Sequence, residues 1–93
     1  MLNRDNRYNL IRPMIDSGDI VTFNDIFKYI PKTIVAKDLG KKVDRFSELM
    51  KRVEGFTLEE LYMIGKFCKI SEAQITQLAE KEYLKNKNSI TKV

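Results

Sequence analysis

Three short patterns constrain this 93-residue chain more than anything else in it, because each marks the start of a helix. Thr22 stands three residues before Asp25, between Val21 and Ile26. Thr57 stands three before Glu60, between Phe56 and Leu61. Ser71 stands three before Gln74, between Ile70 and Ile75. In such a capping box the hydroxyl accepts from the N–H three residues on. The acid or amide returns a bond to the cap's own N–H, and the flanking apolar pair staples the entry. Helices are therefore expected from about residues 23, 58 and 72.

The first of these should bury Phe23, Ile26, Phe27 and Ile30 and stop before Pro31, since the residue preceding a proline avoids the α region. The second, Leu58 to Cys68, offers Leu58, Leu61, Tyr62, Ile64 and Cys68 to a core. Gly65 inside it costs about 1 kcal/mol against alanine, which close approach of another helix would justify. The third, Glu72 to about Leu84, offers Ile75, Leu78, Ala79 and Tyr83. Upstream, Tyr8, Ile11 and Ile15 share one helical face across Arg4 to Asp16, interrupted by Pro13. The expectation is a helix bent at Pro13, in preference to one that begins near Leu10 with Pro13 in its first turn. Met1 to Asn3 should be frayed, and KNKNSITKV reads as a loose basic tail. Almost no segment alternates with period two, so no sheet is expected.

Between Pro31 and Arg52 the periodicity points to two short helices. Lys32 to Leu39 carries Ile34, Val35 and Leu39. Val43 to Arg52 carries Val43, Phe46, Leu49 and Met50 three and four apart, with Asp44, Arg45, Glu48, Lys51 and Arg52 opposite. Gly40 lies between them, where a helix C-terminus often needs a positive φ. A short helix, a glycine corner and a second helix with a polar outer face form the layout of a helix-turn-helix. In that layout the second helix can lie in the DNA major groove.

Composition narrows the functions available. One cysteine, Cys68, cannot form an intramolecular disulfide, which fits a reducing cytoplasm. It lies on an apolar face and reads as a small core residue. With no histidine, a catalytic imidazole and a Cys/His zinc site are both excluded. No apolar run reaches the roughly 18 residues of a membrane span, and the N-terminus has no signal-peptide core. The acidic residues are scattered rather than paired for acid–base work. No enzyme, cofactor, metal or small-molecule substrate is expected. A net charge of +4 permits a polyanionic partner without demanding one.

Residues 22 to 79 resemble the helix-turn-helix domain of the phage lambda repressor and Cro family. The resemblance rests on TFNDIFKYI, KTIVAKDLG, KKVDRFSEL, FTLEELYMIGKFCKI and SEAQITQLA as five successive helices. Ala36, Leu39 and Gly40, then Phe46 and Leu49, are its most telling residues. The sequence departs from the family at Lys41, where an aliphatic residue is common, and at Lys32, where a glutamine often stands. Asp44 and Glu48 also replace residues of the base-reading type. The resemblance implies an all-α, compact five-helix bundle with an additional N-terminal helix. Residues 1–21 would be that extension, 22–84 the helix-turn-helix domain and 85–93 a flexible basic tail.

It further implies a small, sequence-specific DNA-binding protein of a prokaryotic cytoplasm, a transcriptional regulator acting on double-stranded DNA as a homodimer. Val43, Asp44, Arg45 and Glu48 would face the bases. Lys32, Thr33, Lys41, Lys42, Lys51 and Arg52 would contact phosphates. Each assignment has a plainer counterpart. The lysines and arginines also suit a solvated charged face, and the spacing of Val43 to Phe46 also suits a core role. Asp44 also complements the helix dipole, and Glu48 can pair with Arg45, Lys51 or Arg52. Phe23, Phe27, Phe46, Phe56 and Phe67 read as core residues rather than stacking platforms, and Phe67 is the one whose helical position can leave it exposed and so mark a dimer contact. A second reading is a protein–protein adaptor that keeps the helix-turn-helix fold without binding DNA. The acids on the second helix and the extra N-terminal helix motivate it.

Overall fold

In the computed structural model, which describes residues 4–91, with side chains through residue 88, every regular element is helical and no strand occurs among the described residues. The α-helices are α1 (Ile11–Asp16), α2 (Lys32–Leu39), α3 (Val43–Lys51), α4 (Leu58–Phe67) and α5 (Glu72–Thr91). Short 3-10 segments cover Asn6–Leu10, Phe23–Lys28 and Val53–Gly55. The residues expected to fray, Met1 to Asn3, lie outside the described residues.

Two capping boxes form in full. Thr57 Oγ1 accepts from the Glu60 N–H and Glu60 Oε1 from the Thr57 N–H, both at 3.0 Å. Ser71 and Gln74 exchange the same pair at 3.1 and 2.9 Å. At Thr22 the shorter acid changes the outcome. Asp25 Oδ2 accepts from both Val21 and Thr22 N–H, while the Asp25 N–H turns to the Thr22 carbonyl. That three-residue bond begins a 3-10 segment instead of the expected α-helix, and Val21 is left 49% exposed. Ile26 and Phe23 are nonetheless fully buried.

The expected Pro13 bend is replaced by a change of helix type. Asp5 caps a 3-10 segment by accepting from the Arg7 N–H at 2.9 Å, and α1 starts afresh at Ile11. Pro13 then sits in the first turn, where its missing N–H has no intrahelical acceptor to lose. Tyr8, Ile11 and Ile20 from this segment join the same core as the later helices, and Tyr8 Oη donates to Asp38 Oδ2 of α2 at 2.8 Å.

Four phenylalanines form the centre. Phe27 meets Phe23 and Phe46 edgewise, Phe46 meets Phe56 edgewise, and Phe23 lies tilted against Phe56, with centroids 5.3–5.5 Å apart. Such pairs contribute about 0.5–1.5 kcal/mol each beyond simple burial. Gly65 lets α4 meet α5 closely: a Cβ there would lie 3.1 Å from Ile75 Cγ2 and 3.2 Å from Ile75 Cβ.

Three side chains and one segment depart from expectation, and Phe67 keeps its core reading over the exposed one. Leu58, at the outer start of α4, is 60% exposed, and Tyr83 is 38% exposed. Phe67 is buried, because Tyr8 packs at 5.6 Å and the Arg4 guanidinium lies 4.0 Å above its ring centroid, so it offers no exposed dimer contact. Glu82 is 3% exposed, where no charge was expected. The supposed loose tail from Lys85 continues α5 to Thr91, with residues 92 and 93 outside the described ones. Neither glycine nor proline occurs after Gly65, so nothing in the sequence stops the helix.

Candidate nucleic-acid interface

Gly40 takes φ 77° and ψ 28°, the left-handed conformation that a glycine adopts at no steric cost. The Gly40 N–H then reaches the Lys37 carbonyl at 3.0 Å and the Lys41 N–H the Ala36 carbonyl at 2.9 Å, so the end of α2 is closed. Lys42 follows as the first cap of α3, its carbonyl accepting from the Phe46 N–H at 2.9 Å. The corner thus sets where α3 starts, and Phe46 and Leu49 fix its rotation by burying one side.

The opposite side of α3 is open. Asp44, Arg45 and Glu48 are exposed, and Val43 is 37% exposed, which removes the core role its spacing also allowed. Arg45 Nη1 lies 3.5 Å from Glu48 Oε2, with both side chains mostly in solvent. A pair so exposed contributes little, on the order of 0–1 kcal/mol, and opens readily. Lys32, Thr33, Lys42, Lys51 and Arg52 are exposed. Arg52 Nε lies 3.7 Å from Glu54 Oε2.

Lys41 stands apart from the other predicted phosphate contacts. Its ammonium pairs with Glu60 of α4, both groups about four-fifths covered. Burial alone would raise the Glu60 carboxyl, but Lys41 and the Thr57 N–H outweigh it and lower it from its ordinary value. Lys41 therefore ties the turn to α4.

Charge is concentrated here. Residues 32 to 52 hold seven Lys and Arg against three Asp and Glu, an excess that equals the +4 of the whole chain. The remainder of the molecule is balanced.

Sequence reasoning missed four residues that support this face. Asn24 Nδ2 donates to the Met50 carbonyl at 2.8 Å, and Asn86 Nδ2 to the Lys51 carbonyl at 3.5 Å, so carboxamides from two other elements meet the last turn of α3. Buried Glu82 accepts from the Asn24 N–H at 2.9 Å and so connects α5 to this arrangement. Ser47, half-buried, completes a groove of about 400 Å³ with Lys32, Lys51, Asn24, Met50 and Asn86. A signal was present: Ile75, Ala79, Glu82 and Asn86 recur at helical spacing, so the buried stripe of α5 runs on through polar residues.

Elsewhere, burial pushes the Cys68 thiol up to about 12, which makes it a poor nucleophile. No group of three His, Cys, Asp or Glu among the described residues is placed to hold a metal ion. No helix among them is long and apolar enough to cross a membrane. Comparison with protein-family models, curated proteins and solved structures returns no match.

Proposed function

We propose that the chain is a small sequence-specific DNA-binding protein with a lambda-repressor-like helix-turn-helix, α3 lying in the major groove. The observation that carries this reading is α3 itself: a helix anchored by Phe46 and Leu49, standing after a left-handed glycine, with its polar side uncovered. Arg45 would face guanine O6 and N7, Asp44 and Glu48 cytosine N4, and Val43 a thymine methyl. Lys32, Thr33, Lys42, Lys51 and Arg52 would contact phosphates, which set register and supply salt-dependent affinity. Lys41 would act mainly through its tie to Glu60. One short helix reads few bases, so the protein would work as a homodimer on paired half-sites, as a transcriptional regulator in a prokaryotic cytoplasm.

A mobility-shift titration against mixed-sequence duplex at two salt concentrations tests the reading. Retardation that weakens steeply with salt, and weakens further in Lys42→Ala and Arg52→Ala, supports it. No retardation by micromolar protein in low salt refutes it. The exposed acids Asp44 and Glu48 on α3 favour a second reading, a protein-binding adaptor on the same fold. That outcome is the one the absence of retardation would support.

A further inference from the structure

A hollow of about 840 Å³ opens where the amino-terminal segment meets the end of α4, and none of the residues assigned to DNA lines it. Three cations border it, Arg4, Lys66 and Lys69. All three are exposed, and none has a carboxylate partner among the described residues. The acid in its wall, Asp5, is already engaged: the Arg7 guanidinium reaches its two oxygens at 2.9 and 2.8 Å, and the Arg7 N–H donates to it at 2.9 Å. Asn6 and Asn9 add exposed carboxamides that have no hydrogen-bond partner among the described residues. Two features separate this hollow from scattered surface charge. The Arg4 guanidinium is held 4.0 Å from the Phe67 ring centroid, and Phe67 is packed by Tyr8, whose hydroxyl donates to Asp38. A guanidinium stacked on a ring keeps its N–H edge for a carboxylate. Lys69 holds φ 60° at the end of α4, where a glycine would sit without strain. Backbone strain of this kind collects at positions that hold ligands.

We propose that this hollow docks an acidic peptide segment of a partner protein, with Arg4, Lys66 and Lys69 taking its carboxylates and Asn6 and Asn9 its peptide groups. The carboxamides favour a peptide over a nucleic-acid backbone. Each both donates and accepts, as a peptide group does, whereas a phosphodiester only accepts. Asp5 also repels an unbroken row of phosphates, while a peptide can space its acids to meet the cations alone. The inference does not rest on the DNA reading, which concerns α2 and α3.

The test is fluorescence polarisation of a short labelled peptide rich in aspartate, titrated with the full chain, beside an asparagine counterpart of equal length. The aspartate peptide should bind saturably and the asparagine one should not. Arg4→Gln and Lys69→Gly should each weaken binding about tenfold. Lys69→Gly relieves strain, so its loss of binding cannot come from unfolding. Arg4→Lys keeps the charge but not the planar fork, and it should also weaken binding. Lys85→Ala removes the same charge from a residue outside the hollow and should leave peptide binding unchanged. Equal weakening by Lys85→Ala, or binding untouched by Arg4→Gln and Lys69→Gly, would reduce the attraction to overall charge and overturn the proposal. Mobility shifts of a mixed-sequence duplex should be the same in Arg4→Gln and Lys69→Gly as in the original protein. Duplex binding weakened as much as peptide binding would make the hollow part of a nucleic-acid face and overturn the proposal as well. Failure of the peptide to bind leaves the DNA reading to its own test.

Discussion

Replacing Glu82 probes how α5 holds the end of α3. Its carboxylate is 3% exposed and accepts from the Asn24 N–H at 2.9 Å, while the Asn24 side chain donates to the Met50 carbonyl at 2.8 Å. Glu82→Ala removes the acceptor and leaves a covered N–H unpaired, at about 1–3 kcal/mol. The methylene lost adds about 0.8 kcal/mol. Relief from burying a charge offsets part of this. The net expectation is a loss of about 2 kcal/mol, which for a domain of this size lowers the melting temperature by roughly 8–16 °C. Glu82→Gln keeps an acceptor in place and removes the charge, so it should stay within about 1 kcal/mol of the original protein. Urea titration and thermal melts by circular dichroism measure both. An alanine variant as stable as the original would refute the reasoning. So would a glutamine variant as damaged as the alanine one, since charge, and not the bond to Asn24, would then be what matters.

Other expectations follow from single residues. Lys69 holds φ 60°, closing α4 through the bond from the Ile70 N–H to the Gly65 carbonyl, so Lys69→Gly should raise stability by about 0.5–1 kcal/mol in urea titration. Burial would raise the Asp25 carboxyl, but the Val21 and Thr22 N–H groups and Lys28 overcome it and hold it at about 2, below its ordinary 3.8. A carboxyl lowered on folding stabilises the fold above its ordinary value and stops doing so as pH falls through the folded one. Stability should therefore drop between about pH 4 and pH 2, and Asp25→Asn should flatten that part of the profile.

The sequence announced this fold best where local chemistry and packing agree. Thr57–Glu60, Ser71–Gln74 and Gly40 are each decided within a few residues, and α2, α3 and α4 begin as expected. Where neighbours far along the chain decide, local signals misled. Phe67 looked exposable because its cover, Tyr8 and Arg4, lies about sixty residues upstream. Lys41 read as an unpartnered cation because Glu60 is on another helix. Residues 85 to 91 looked loose because their apolar periodicity fades, although Asn86 reaches the Lys51 carbonyl at the end of α3. The candidate face was legible for its exposed members, which follow from helical period alone. Its groove was not, because Ser47, Asn24 and Asn86 meet only after three elements have packed.

The most direct trial of the central claim is selection of duplexes from a random pool by the full chain. Affinities for the selected and a scrambled duplex are then compared in the original protein and in Arg45→Ala. Convergence on a shared short sequence is expected, with Arg45→Ala reducing the preference by about 1–3 kcal/mol at one position. A pool that never converges, or a preference that Arg45→Ala, Val43→Ala and Glu48→Ala all leave intact, would contradict it.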